Sequence, residues 1–169
     1  SRELNFIRTG RPPNTVVCRL DEGEFHSTWL GNKAVYRTRL AIADGGRLIV
    51  LAPGVKRFGE DNEIDRLIRK YGYSGRGHIL NLAKTEPDLR ENLSAAAHLI
   101  HGSTDGRFEV FYAAPLLTPA EVEGVGYRLL DYDETVKRYN PASLCEGWNK
   151  VDGEEIYYID NPALGLWSV

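Results

Sequence analysis

Four short runs of apolar residues stand out along the chain: Thr15–Leu20 (TVVCRL), Arg47–Ala52 (RLIVLA), Arg107–Ala114 (RFEVFYAA) and the weaker Tyr127–Leu130 (YRLL). Each is too short for a helix and is bounded by polar or turn-forming residues, so each predicts a buried strand. Between the first two, Leu30, Ala34, Val35, Leu40, Ala41 and Ile42 fall near helical spacing, with Arg37 and Arg39 off the stripe. That spacing predicts one helix over 30–43, stopped by Gly45-Gly46. NEIDRLIRKY, closed by Gly72, predicts a short amphipathic helix, and the stretch from Ser74 to Gly102 predicts two helices broken at Pro87. Thr118, Pro119 and Glu121 form a capping signature for a further helix. DYDETVKRYN predicts a helix stopped by Pro141, and GWNKVDGEEIYYID a hairpin turning at Asp152-Gly153. Residues 1–13 read as an extended lead-in, and the apolar tail NPALGLWSV as a segment able to dock.

Strands that alternate with helices define an α/β class. The expected architecture is a mostly parallel, Rossmann-like sheet with flanking helices and a C-terminal β-hairpin, in a single domain over residues 1–169. Composition narrows the function. A net charge of −3 and a pI of about 5.8 argue against a broad basic face for nucleic acid. No apolar run reaches the roughly 18–20 residues of a membrane span, and no signal peptide is apparent, so a cytoplasmic protein without membrane or nucleic-acid partners is expected. Two cysteines, Cys18 and Cys145, make no disulfide framework. The chain contains no methionine, position 1 included, so Ser1 is expected to follow processing or a cut within a longer gene product.

In a parallel sheet, ligands gather beyond the carboxyl ends of the strands. The segments expected there hold His26, Ser27, Thr28, Asn32, Lys33, Lys56, Arg57, Glu60 and Asp61. Lys33 would stand in the first turn of its helix, where the dipole opposes a cation and favours an anion. A bound carboxylate or phosphate would reconcile the two, although first-turn lysines also occur on solvated helices. Trp29 serves equally as a binding platform or a core anchor. Glu60, Asp61, Glu63 and Asp65 sit at a helix start, where capping outweighs acid–base chemistry. His98 and His101 share a helix face at a spacing that could hold a metal. They are expected at the edge opposite the ligand site, so a structural role is preferred and no metal site is assigned. The chain lacks a P-loop, G-x-S-x-G and H-E-x-x-H, and GYSGRG follows a helix rather than a strand, which disfavours a nicotinamide dehydrogenase.

Taken in order, STWLGNK, ADGGRLIVLAPG, RENLSAAAHLIHGS, LTPAEVEGVGY and NPALGLW resemble the C-terminal domain of the nickel-dependent lactate racemase family, in the branch of D-mannonate epimerase-like proteins. The resemblance covers nearly the whole chain. It implies a two-domain isomerase in which an N-terminal domain holds a nickel-pincer nucleotide and supplies the acid and base. The C2 hydride of a 2-hydroxy acid passes to that cofactor and returns on the other face. The C-terminal domain would close over the cleft and contact the substrate, hold no cofactor alone, and be inactive in isolation. Expected partners are that N-terminal domain, a small 2-hydroxy acid or sugar acid, and, as a further candidate, a second copy of the chain. Many members carry an aromatic residue, glutamine, two further residues and lysine at the start of this helix. Here the run is Trp29, Leu30, Gly31, Asn32, Lys33: the aromatic and the lysine match, and Leu30 replaces the glutamine. Substrate contacts are thus implied for Lys33 and Trp29. His26, Thr28, Asn32, Lys56, Arg57 and Glu60 are further substrate-binding candidates, and the catalytic residues are not assigned. The alternative is a non-catalytic α/β ligand-binding or assembly module, for which the loss of the glutamine amide speaks.

Overall fold

The computed structural model describes residues 4–169. Its strands in chain order are β1 (Asn5–Arg8), β2 (Thr15–Arg19), β3 (Gly46–Leu51), β4 (Phe108–Ala113), β5 (Arg128–Leu130), β6 (Gly147–Val151), β7 (Glu154–Ile159) and β8 (Gly165–Ser168). The main sheet has six strands in the order β5-β4-β3-β2-β7-β6. All its neighbours are parallel except β6, which runs antiparallel to β7. The expected class and sheet are therefore present, and all four apolar runs contribute strands.

The topology follows from handedness. From β2 to β5 each strand lies one place further along the sheet, so right-handed crossovers put all the intervening helices on one face. These are α1 (Thr28–Gly31), α2 (Lys33–Tyr36), α3 (Asn62–Tyr71), α4 (Arg76–Thr85), α5 (Pro87–Arg90), α6 (Leu93–His101) and α7 (Pro119–Gly124). Their core is built on Val16, Cys18, Leu48, Val50, Val110 and Tyr112. The chain then reverses direction to reach β7, so α8 (Tyr132–Arg138) crosses the opposite face. There Tyr139 and Val136 cover Val17, Ile49, Ile156 and Tyr158. Two covered faces explain why β2 and β3 are apolar without alternation.

The hairpin turns where expected. Asp152 and Gly153 have φ of 48° and 84°, the two positive values that a two-residue turn between twisted strands requires. The lead-in and the tail meet: β1 pairs in parallel with β8, and Trp167 is buried, its amide donating to the Arg37 carbonyl at 2.9 Å. The tail thus docks on its own chain.

Two helix expectations need correction. The helix over 30–43 is broken into α1 and α2 at Asn32, followed by turns through Ile42, and Leu40 of the proposed stripe is 62% exposed. The break arises because the Asn32 side chain is drawn into the interior by distant partners. The stretch from Ser74 to Gly102 forms three helices rather than two. Pro87 opens the short α5, and Asn92 then caps α6 by accepting a bond from the Ala95 amide.

Candidate functional site

The loop after β2 and the loop after β3 lie against each other and set the start of α1. The Thr28 amide donates to the Arg57 carbonyl at 3.1 Å and the Trp29 amide to the Phe58 carbonyl at 2.8 Å. Phe58 and Gly59 are fixed in turn by Asp65, whose Oδ1 accepts both amides at 2.8 and 3.0 Å while Oδ2 takes Arg69 Nε at 2.7 Å. Burial pushes the Asp65 carboxyl up, but these three donors outweigh it and hold it below the usual range. The neighbouring carboxylates are also bonded within the chain: Asp61 caps α3, and Glu60 accepts a bond from the Ser27 hydroxyl.

Thr28 and Asn32 point inward, where the sequence reading placed them toward a cleft. Both are buried. Asn32 Oδ1 accepts from the Tyr112 hydroxyl at 2.6 Å, and its Nδ2 donates to the Tyr127 oxygen at 3.1 Å. The Tyr127 hydroxyl donates in turn to the Gly102 carbonyl at 2.6 Å. Thr28 Oγ1 lies 3.1 Å from the Phe58 carbonyl and 2.9 Å from the Tyr73 hydroxyl. Tyr73, Tyr127 and Tyr112 stack in series at centroid spacings of 4.6 and 5.7 Å. Burial raises the pKa of all three phenols, so they act as neutral hydrogen-bonding groups. Desolvated polar groups survive in a core only when paired, and this set is paired throughout.

Trp29 and Lys33 are placed differently. With Leu30, Tyr36, His98 and His101 they border a cavity of about 520 Å³ between α1, α2 and α6. It lies among the helices, and no residue of the loops after β3 or β4 lines it. Lys33 makes no hydrogen bond or salt bridge among the described residues, so its charge is available to a ligand. The dipole argument for Lys33 loses force, because α2 is a single turn.

His98 and His101 also need correction: they border this cavity rather than lying away from the site. The His98 ring packs on Trp29 at a centroid distance of 4.5 Å, and its Nε2 lies 2.7 Å from the Tyr73 hydroxyl. Burial, helped by the neighbouring His101, lowers its pKa to about 3, so the ring is neutral. His101 is exposed beside Tyr36. The signal that could have found them was present, since two histidines on one helix face were noted; their partner helix was not legible.

The other candidates stay outside the cavity. His26 is exposed, with Nε2 3.0 Å from the Gly23 carbonyl, and Lys56 is exposed. Arg57 lies 3.8 Å from Glu60 and leaves a buried Nε without a partner. Among the described residues, no group of three or more His, Cys, Asp or Glu side chains converges as metal ligands. Lys33 presents a positive charge at the border of the cavity, beside the Trp29 ring.

The fold and cavity define an α/β domain whose helical layer holds a largely apolar cavity bordered by Lys33. No family model and no curated protein matches the chain. Among solved structures, a Thermotoga maritima protein superposes with a TM-score of 0.72 at 22% identity, over 97% of this chain and 38% of its own. The lactate racemase apoprotein from Thermoanaerobacterium thermosaccharolyticum superposes with a TM-score of 0.63 at 12% identity, over 98% of this chain and 37% of its own. At these identities the likeness is one of fold: the chain has a lactate racemase-like fold and spans less than two-fifths of either neighbour. No helix among the described residues is long and apolar enough to cross a membrane.

Proposed function

We propose that this chain is the substrate-binding and closure domain of a 2-hydroxy-acid racemase or mannonate-type sugar-acid C2 epimerase. The observation that carries the reading is the unpaired Lys33 in a cavity walled by Trp29 and His98, on a domain with a lactate racemase-like fold. Lys33 would neutralise the substrate carboxylate, a charge-assisted contact worth about 1.5–3 kcal/mol. Trp29 would exclude water. Its backbone anchor to Phe58 and its packing on His98 hold the ring in place before a ligand arrives. A nickel-pincer nucleotide, which would supply hydride transfer, belongs in this reading to a domain outside these 169 residues. The acid and base belong there too, and the isolated chain is inactive.

The second reading, a non-catalytic sugar-acid-binding module, is favoured by Leu30. It presents an aliphatic side chain to the cavity where an amide is expected. The natural-length protein, produced with nickel and the cofactor-making enzymes, separates the two. D-mannonate deuterated at C2 is expected to yield the C2 epimer with deuterium retained. No conversion of mannonate, lactate or other 2-hydroxy acids would leave the binding module.

A further inference from the structure

Proton counting around Tyr73 fixes the state of His98. The Thr28 hydroxyl has one proton, and the Phe58 carbonyl 3.1 Å away can only accept it. The 2.9 Å contact between Thr28 and Tyr73 is then one in which Tyr73 donates. Tyr73 has no second proton, so at the 2.7 Å contact with His98 the ring must donate from Nε2. Because the ring is neutral, Nε2–H leaves Nδ1 bare. Nδ1 has no hydrogen-bond partner among the described residues. The atom is not sealed from solvent, although the residue is only 8% exposed, and His98 borders the cavity. His98 therefore carries an acceptor that no described residue uses, and it borders the same cavity as Lys33, a cation that no described residue neutralises.

We propose that His98 is a specificity-determining residue: its Nδ1 accepts a hydrogen bond from a hydroxyl of a ligand whose carboxylate pairs with Lys33. Tyr73 and Thr28 are positioning residues that lock the tautomer. The cavity thereby selects hydroxylated acids over acids that offer only a carboxylate. This rests on the reading of the cavity as a hydroxy-acid site and adds how the hydroxyl would be recognised. A protonated imidazole or the other tautomer would present a donor at the same place and lose the preference.

The test is nitrogen-15 NMR of the chain, reading the two His98 ring nitrogens and the Lys33 side chain during titration with D-mannonate and, separately, propionate. His98 is expected to show a bare Nδ1 and a protonated Nε2. Mannonate should move both the Nδ1 and the Lys33 signals, and propionate Lys33 alone, with an affinity about three- to tenfold weaker, as one hydrogen bond allows. His98→Phe keeps an aromatic ring on Trp29 and should bring the two acids level. Tyr73→Phe should allow the other tautomer to appear and shrink the preference. A protonated Nδ1 in the unmodified chain overturns the proposal and leaves the Lys33 site standing. So do equal affinities with a silent Nδ1. If neither acid moves Lys33, the reading of the cavity fails and this proposal with it. The tautomer is read on the unmodified chain, so a variant that misfolds does not remove the test.

Discussion

The Asn32 carboxamide accepts the Tyr112 hydroxyl proton at 2.6 Å across 80 residues of chain. It donates at the same time to Tyr127, 95 residues on. One buried side chain thus ties the break between α1 and α2 to β4 and to the start of β5, and fixes where Trp29 and Lys33 emerge on either side of it. Asn32→Leu would fill similar space and strand the Tyr112 hydroxyl without an acceptor. A loss of about 2–3 kcal/mol is expected. It should appear as a lower urea midpoint at unchanged slope; an unchanged midpoint would mean that the amide is not buried and bonded as described.

The neutral His98 predicts a slope of stability with pH. Its folded pKa of about 3 lies below the ordinary value of about 6.5. Between those values the unfolded chain binds a proton that the folded chain refuses, so stability is full above the unfolded pKa and falls as pH drops. The loss approaches about 1.4 kcal/mol per pH unit. The titratable groups facing the ring are Tyr73 beneath it and Lys33 and His101 around the cavity. The carboxylates held low by their partners, Asp65, Asp88, Glu121, Glu154 and Asp160 among them, lose their stabilisation as pH falls through the ordinary carboxylate range of about 4. Chemical denaturation at pH 6.5, 6 and 5.5, above the carboxylate range, should therefore be dominated by the histidine, and His98→Phe should flatten most of that slope. Equal slopes would place a charged imidazole in the folded state.

Gly59 matters for a steric reason. A Cβ there would lie 2.2 Å from the Asp65 amide nitrogen and 2.7 Å from its Cα, both backbone atoms that cannot swing aside. Gly59→Ala is expected to cost about 3 kcal/mol. Asp65→Asn keeps one acceptor oxygen but loses the ion pair with Arg69, and should cost about 1–2 kcal/mol. Both should speed hydrogen exchange at the Thr28 and Trp29 amides, which bond to Arg57 and Phe58. Unchanged exchange would show that Asp65 does not support the start of α1.

Much of the fold was legible because the strands are carried by local pattern. TVVCRL, RLIVLA and RFEVFYAA need no distant partner to announce themselves, and Gly45, Gly72 and Asp152-Gly153 mark turns by backbone chemistry alone. What failed was non-local. The helix over 30–43 reads as continuous because Ala34, Val35 and Ala41 keep the spacing, and only Tyr112 and Tyr127 reveal why it breaks at Asn32. The pairing of β1 with β8 joins two segments from opposite ends of the chain, neither apolar enough to read as a strand. For the cavity, Lys33 and Trp29 were legible as an unusual pair at a helix start. His98 was assigned to the far edge because nothing local to AAAHLIHG shows that α6 lies beside α1. The polar positions from Thr28 to Lys33 read as one signal in the sequence and divide in the structure: Thr28 and Asn32 are buried in the core, and Lys33 borders the cavity.

Binding of D-mannonate to the chain and to Lys33→Ala, measured side by side by titration calorimetry, tests the central claim most directly. Lys33 has no partner among the described residues, so its removal should leave the unfolding free energy within about 0.5 kcal/mol of the original. Loss of a charge-assisted contact should weaken binding by about 10- to 100-fold. Equal affinity in the two chains would contradict the account and remove Lys33 from the ligand site.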